Sequence, residues 1–475
     1  MPTRRDFLTA ATALGAACST SQDARPPNLV FVFPDQMRGS AMGFLGEEPA
    51  VTPRLDNFAT ESLVLTEACS NFCVCSPYRG MLMSGKWSQH NGVTSNCQSD
   101  SAPYGVELRQ DDRCWSDVLK DNGYQLGYVG KWHLEAPYEP YVESYNNNGP
   151  LKWNEWCPPE RRHGFDFWHS YNTYDRHMKP HYWTTDMTRD ERLEVDQWGP
   201  EHEVDVAIDF LDQRQPDKPF ALVVSMNPPH TPYTQFPERY LDRVADVSDE
   251  ELFSRPNIPP ADTEDGKNYR RDIRNYLAMI AGVDDQFGRL LDALDEGGLK
   301  DDTIVVFTSD HGDCLGIHYQ RHKNNHFEEA IRVPFLIRWP GEIPVRRDDL
   351  LLSTPDIYST LLGLMGLGAQ VPSDVDGRSH AEIFRGGEGD RPAAQPYMRM
   401  IAGTPQTGVR GLRTHQHTLA IDNSPDAKSP VELYDRKQDP YQLENLAESH
   451  PEVVQDLVER HLRPWLDSCG DAWVG

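Results

Sequence analysis

The chain is short of positive charge. It carries 46 Lys and Arg against 74 Asp and Glu in 475 residues, a net charge of -28, which argues against nucleic acid or an anionic membrane surface as a partner. It also lacks an unbroken apolar run of about 20 residues, the length needed to span a bilayer. Cysteine is sparse for the length: nine residues, an odd number, do not make a disulfide scaffold. Most stand alone, at Cys97, Cys114, Cys157, Cys314 and Cys469. Cys69, Cys73 and Cys75 cluster, but no second Cys-x-x-Cys and no His pair at zinc spacing completes a closed structural zinc site. Internal repeats and low-complexity tracts are missing too. What remains is a loop-rich globular chain, 38% hydrophobic with 37 Pro and 34 Gly. Its length suits one large domain and a smaller one.

The N-terminus reads as an address rather than as fold. "TRRDFLTAATALGAACS" pairs Arg4 with Arg5, then gives a short, mild apolar run ending in small residues. This resembles a twin-arginine export signal over residues 1–24 and implies a periplasmic or extracellular destination. Cys18 is a candidate lipid-attachment residue, with Gly15 where leucine is usual.

From residue 25 the chain alternates continuous apolar runs with helical stretches. "NLVFVF" (28–33), "QLGYVG" (125–130), "FALVVSM" (220–226), "TIVVFTS" (303–309) and "VPFLIRW" (333–339) have the character of strands buried on both faces. Helical patterns cover Pro53 to Glu61, Trp115 to Asp121, Val204 to Gln213 and Tyr269 to Leu294. The alternation predicts an α/β domain over 25–385, a mostly parallel sheet between helical layers. "GDRPAAQP" reads as a linker. Beyond it, short strand-like pieces ("GVRGLRT", "HTLAI", "ELYD") and a closing helix from Pro451 to Trp465 predict an α+β subdomain over 386–475.

Ligands of open α/β sheets gather at the carboxyl ends of strands. Two predicted strands end in hard ligands: Asp35 and Gln36 in "VFPDQ", and Asp310, His311 and Asp313 in "VFTSDHGD". One such end is usually a turn or a helix cap; two in one sheet point to a divalent cation, calcium or magnesium. In "NFCVCSPYRGMLMSGK" (71–86), Cys73 and Cys75 stand on either side of a valine and Arg79 follows. On spacing alone a metal knuckle, a disulfide, a buried apolar pair and a reactive nucleophile all remain open.

"CSPYRG" resembles the sulfatase signature, Cys-x-Pro-Ser-Arg followed by a helix. "YVGKWHL", "NPPHTPY", "TSDHGDCLGIH", "KNNHFEEAIRVPFLIRWPG" and "ELYDRKQDPYQLENLA" are similar to further sulfatase motifs in the same order, from about Asn28 to Ala447. The resemblance implies the alkaline-phosphatase-like α/β fold: a large, mostly parallel sheet flanked by helices, with a smaller antiparallel sheet in the C-terminal subdomain. It implies that a maturation enzyme converts Cys75 to formylglycine, whose hydrate is the nucleophile. Arg79, Lys131 and Lys323 are then the cations around the sulfate, and His133 and His230 the acid and base. Asp35, Gln36, Asp310, His311 and the modified Cys75 become the ligands of Ca2+, or of Mg2+; Asp313 is left outside that set. Three positions depart from the family pattern: Tyr78 replaces the usual serine, Gln36 an aspartate and His311 an asparagine. Cys73 has no family role and reads as a packed thiol.

The same aldehyde also serves phosphonate monoester and phosphodiester hydrolases, and a catalytically silent glycan-binding relative would share the fold. A sulfated carbohydrate is the expected substrate because of the segment from Tyr138 to Trp183. Twelve of its 46 residues are aromatic, interleaved with basic side chains. It reads either as an insertion with its own small core or as a glycan-facing loop. In the second reading Trp153, Trp156, Arg161, Arg162 and His177 touch substrate.

Overall fold

A computed structural model describes residues 25–473; the export-signal segment and Cys18 lie outside them. Ten strands form one sheet. They are β1 (Asn28–Val32), β2 (Leu63–Leu65), β3 (Gln125–Lys131), β4 (Phe167–Tyr171), β5 (His181–Thr184), β6 (Leu193–Glu194), β7 (Phe220–Ser225), β8 (Thr303–Thr308), β9 (Phe335–Arg338) and β10 (Arg346–Asp348). Their order is β10-β2-β9-β8-β1-β7-β3-β4-β5-β6. The central run from β8 to β4 is parallel throughout, with Val32 beside Phe307 and Val224, and Val129 beside Val224. β9 runs antiparallel to β8 and to β2.

The continuous apolar runs follow from burial on both faces. Val30, Val32, Val129, Leu222, Val224, Val305 and Phe307 pack on one side, with the helices Gly199–Gln213 and Glu264–Glu296. Leu29, Phe31, Tyr128, Val223, Ile304 and Val306 pack on the other. β1 thus divides its side chains between two cores by simple alternation.

The segment from Tyr138 to Trp183 adds β4 and β5 to the sheet, and Val142, Tyr171, Tyr174, Tyr182 and Trp183 make a small core of their own. A second, antiparallel sheet holds β11 (Gln395–Met400), β12 (Gly408–Arg413), β13 (His417–Asp422) and β14 (Val431–Asp435) in chain order. Arg413 and Arg436 tie it to the large domain through Glu328 and Glu67. Among the described residues no helix is long and apolar enough to cross a membrane.

Candidate active site

Because β8, β1, β7 and β3 are parallel neighbours, their carboxyl ends open on one edge of the sheet and bring distant motifs together. Asp35 follows β1, and its N–H donates to the Met226 carbonyl beyond β7 (2.8 Å). Asp310 and His311 follow β8, Lys131 ends β3 with His133 two residues on, and Asn227 and His230 follow β7. Cys75 opens the helix Cys75–Ser84, after Val74 in extended conformation. Arg79, one turn along, lies on the same face.

Asp35, Cys75, Asp310 and His311 are all buried, and one ligand atom of each lies within 4.8 Å of the others. His311 Nε2 is 3.3 Å from Cys75 Sγ and 3.6 Å from both Asp35 Oδ1 and Asp310 Oδ1. Its Nδ1 faces the Gly312 carbonyl at 2.9 Å; with the proton there, the Nε2 lone pair is left for the cluster. Burial works against the charge on Asp35, but Lys131, His230, His311 and Lys323 outweigh it and hold that carboxylate well below its usual range. Burial and the charge of Asp35 push Asp310 up, to about 6. Two buried carboxylates, an imidazole lone pair and the Cys75 side chain fit a hard divalent cation, which would relieve the repulsion between the acids.

Arg79 binds this cluster from below. Its Nη2 donates to Asp35 Oδ2 and Asp310 Oδ2 (3.0 Å each), and its Nη1 to the Lys131 carbonyl and Ser225 Oγ (2.7 and 2.8 Å). Lys131 Nζ lies 2.7 Å from Asp35 Oδ2, 3.0 Å from Asn227 Oδ1 and 3.8 Å from Cys75 Sγ. Burial and Asp35 raise the pKa of the Cys75 thiol, yet Lys131, Lys323 and His311 overcome them and lower it well below the usual value. Cys73 behaves differently: its thiol donates to the Asn325 carbonyl at 3.0 Å, and burial pushes it up to about 11. Tyr78 is buried in the core cluster on the Leu29 and Phe31 side of the sheet.

Gln36 has a positive φ of 72°, and its side chain sits inside a chain of hydrogen bonds. Its Oε1 accepts from Lys323 Nζ (2.5 Å), and its Nε2 donates to Tyr233 Oη (2.9 Å) and Asp313 Oδ2 (2.5 Å). Asp313 is thus occupied as an acceptor for Gln36 and the Tyr233 hydroxyl.

The two histidines differ in surroundings. His230 Nδ1 meets the Thr231 carbonyl at 2.8 Å and Asp175 Oδ1 at 3.5 Å. Burial, Lys323 and Lys131 disfavour its charge, but Asp35 and Asp175 prevail and hold it up at about 9. His133 is buried, and burial lowers it to about 4 although the neighbouring Cys75 side chain, through its hydrogen bond, favours the charged ring. Asp175 and Asn227 escaped the sequence reading. Asn227 had a signal in "NPPHTPY", three residues before His230; Asp175 had none, because the fold alone brings it there.

The aromatic segment divides. Trp153 is half-buried with its ring 6.2 Å from that of His133, and Trp156 borders a cleft with Tyr138, Glu135 and Arg161. Arg161 is paired with Glu135 (2.6 Å) and Glu107 (3.2 Å). Arg162 is a buried structural side chain: it lies over Trp168 and donates to the Cys157 and Thr185 carbonyls. His177 is buried as well, and its Nε2 faces the His230 carbonyl at 2.9 Å, so it holds the His230 loop.

A parallel sheet whose carboxyl edge gathers two carboxylates, an imidazole and a cysteine at a helix N-terminus, with Arg79 and Lys131 beside them, fits a hydrolase of charged esters. Residues 27–367 match the sulfatase family model, and residues 316–465 match that of the N-sulphoglucosamine sulphohydrolase C-terminal region. The chain belongs to the sulfatase family. It is 38% identical to an endo-4-O-sulfatase of Bacteroides thetaiotaomicron, over 98% of this chain and 97% of the relative. It is 32% identical to an ulvan-active sulfatase of Formosa agariphila, over 94% and 82%. A candidate sulfatase of Bacteroides fragilis has a solved structure that superposes with a TM-score of 0.90 at 46% identity, covering 95% of this chain and 98% of that one.

Proposed function

We propose that this sulfatase removes sulfate esters from a carbohydrate after Cys75 has been converted to formylglycine by a maturation enzyme. The supporting observation is the position of Cys75: at a helix N-terminus, beside Asp35, Asp310 and His311, and within reach of Lys131. The converted Cys75 would supply one hydroxyl to sulfur as the bond from sulfur to the sugar oxygen breaks, and its second hydroxyl would lose a proton to expel the sulfate as the aldehyde re-forms. Asp35, Asp310, His311 and the modified Cys75 would hold calcium, or magnesium, which would supply positive charge against the sulfate oxygens. Gln36 belongs with these ligands, because a carbonyl oxygen that accepts from Lys323 keeps a second lone pair.

The chain's own groups do the rest. Arg79 bridges the two carboxylates through Nη2, offsetting their repulsion, and adds a fixed cation to the site. Lys131 and Lys323 neutralise the ester as its charge moves to the bridging oxygen. His230, with Nδ1 held by the Thr231 carbonyl and by Asp175, is the acid that protonates the leaving oxygen from Nε2. His133, kept neutral by burial and next to the Cys75 side chain, is the base. Trp153, Trp156 and Arg161 border the sugar side, and the paired arginines of the N-terminal segment export the folded protein.

Names borne by relatives, among them endo-4-O-sulfatase and ulvan-active sulfatase, favour a sulfated polysaccharide. Rates on an aryl sulfate, a phosphodiester and a set of sulfated oligosaccharides test the proposal. Sulfate release from at least one oligosaccharide, faster than phosphodiester cleavage, is expected; the reverse order overturns it.

A further inference from the structure

Next to His230 and Lys323, the loop between β8 and β9 adopts unusual backbone geometry. Leu315, His318, Tyr319 and Asn324 have φ of 54°, 58°, 58° and 71°. Residues other than glycine rarely take up this region, and where they do they cluster at functional sites. The loop is nevertheless held firmly. The Cys314 N–H donates to the His322 carbonyl (3.0 Å), the Gly316 N–H to the Gln320 carbonyl (2.8 Å), and the Asn324 N–H to the carbonyl of Cys73 (3.2 Å). The His318 ring stacks on Phe327 at 3.8 Å, with Nε2 3.4 Å from Glu329.

This fixed loop presents Arg321 and His322 outward. Between them and the Thr231–Thr234 segment lies a groove of about 190 Å³, whose lining includes Tyr233, Asn268 and Arg271. Three of its lining residues connect it to the reaction centre: Thr231 follows His230, His322 precedes Lys323, and the Tyr233 hydroxyl accepts from Gln36 Nε2. The Arg271 guanidinium is oriented by Asn268 Oδ1 (2.9 Å) and Asp272 Oδ1 (2.7 Å). Arg321 has no hydrogen bond or ion pair among the described residues. In a chain with 28 more acidic than basic residues, two guanidinium groups face one small groove, and Asp272 offsets only one of them.

We propose that this groove binds a second anionic group, a carboxylate or a sulfate, on the sugar next to the one being desulfated, with Arg321 as its main contact and Arg271 behind it. A planar fork of donors matches either oxyanion in a bidentate fashion. The inference rests on the carbohydrate reading above. It makes the enzyme selective for a local pattern of charge and not for a lone ester.

The test measures kcat/KM of the matured enzyme on three probes. The first is a uronate-containing, 4-O-sulfated glycosaminoglycan tetrasaccharide. The second is the same compound with its carboxylates reduced to alcohols, and the third is that reduced compound with an added sulfate on the neighbouring sugar. The wild type is expected to prefer the first or the third over the second by roughly tenfold or more, the scale of a charge-assisted hydrogen bond; which of the two is favoured tells carboxylate from sulfate. Arg321→Ala should bring that ratio close to one, mainly through KM, and Arg321→Lys should restore part of it. If all three are cleaved and Arg321→Ala leaves the ratio unchanged, or the wild type shows no preference, the groove assignment is wrong while the carbohydrate reading stands. If neither these probes nor any other sulfated oligosaccharide of the set is cleaved although an aryl sulfate is hydrolysed, both fall.

Discussion

Glu203 offers a quantitative test of the scaffold behind the site. It lies on the helix Gly199–Gln213, fully buried, and its Oε1 accepts from the Tyr171 and Tyr182 hydroxyls at 3.2 and 3.1 Å. A Cβ added at Gly130, next to Lys131, would meet its carboxyl carbon at 3.3 Å, so the group braces the strand that delivers Lys131. Burial raises its pKa from the ordinary 4.5 to about 8, and the two tyrosine donors offset only part of this. Below pH 4.5 folded and unfolded chains both hold the proton. Between 4.5 and 8 only the folded chain does, so stability falls as pH rises, by an amount approaching ~5 kcal/mol at 1.36 kcal/mol per pH unit. Glu203→Gln keeps the shape and the acceptor but removes the titration. Unfolding midpoints of variant and wild type, measured by circular dichroism from pH 5 to 8.5, should nearly coincide at the acid end and separate steadily above it, with the variant more stable. A difference that stays constant with pH would show that Glu203 is ionised throughout and would refute the reasoning.

Cys75→Ala should abolish sulfate release with no change in fold by circular dichroism, whereas Cys73→Ala should keep most activity and cost about 1 kcal/mol of stability; equal losses in both would mean that the reactive thiol is misassigned. Asp35→Ala and Asp310→Ala should each remove bound metal in elemental analysis of the purified protein, and chelation of the wild type should stop turnover until calcium is returned. Arg161→Ala should lower the unfolding midpoint, because the buried Glu135 carboxyl loses its 2.6 Å partner at a cost of roughly 2–3 kcal/mol. Asp175→Asn should reduce kcat more than KM and move the alkaline limb of the pH–rate profile to lower pH, because His230 loses the carboxylate that favours its charged form.

Much of the scaffold was legible because its physics is local. Strands buried on both faces must be apolar at every position, and five such runs marked β1, β3, β7, β8 and β9 to within a few residues. The direction of β9 was not legible, since an antiparallel strand buried on both faces has the same composition as a parallel one. The helix read from Tyr269 begins at Glu264, where the capping hydroxyl of Thr263 supports a polar first turn that carries no apolar period. β11 escaped notice because the Gln395–Met400 segment alternates only weakly. β4 and β5 were hidden in a segment whose aromatics suggested a ligand surface; Tyr171, Tyr182 and Trp183 are in fact core. Arg162 and His177 drew attention as basic residues among aromatics, and burial turns both to structural work. Residues whose meaning depends on two distant segments meeting, such as Asp175 beside His230, leave no mark in a single sequence.

The formylglycine at Cys75 is the claim on which the mechanism stands. Co-expression with graded amounts of the maturation enzyme gives preparations with different extents of conversion, each quantified by mass spectrometry of the peptide bearing Cys75. The initial rate of sulfate release from an aryl sulfate should rise in direct proportion to the converted fraction and extrapolate to zero in its absence. Release that persists in protein with only cysteine at position 75, or none from fully converted, metal-loaded protein, would contradict the account.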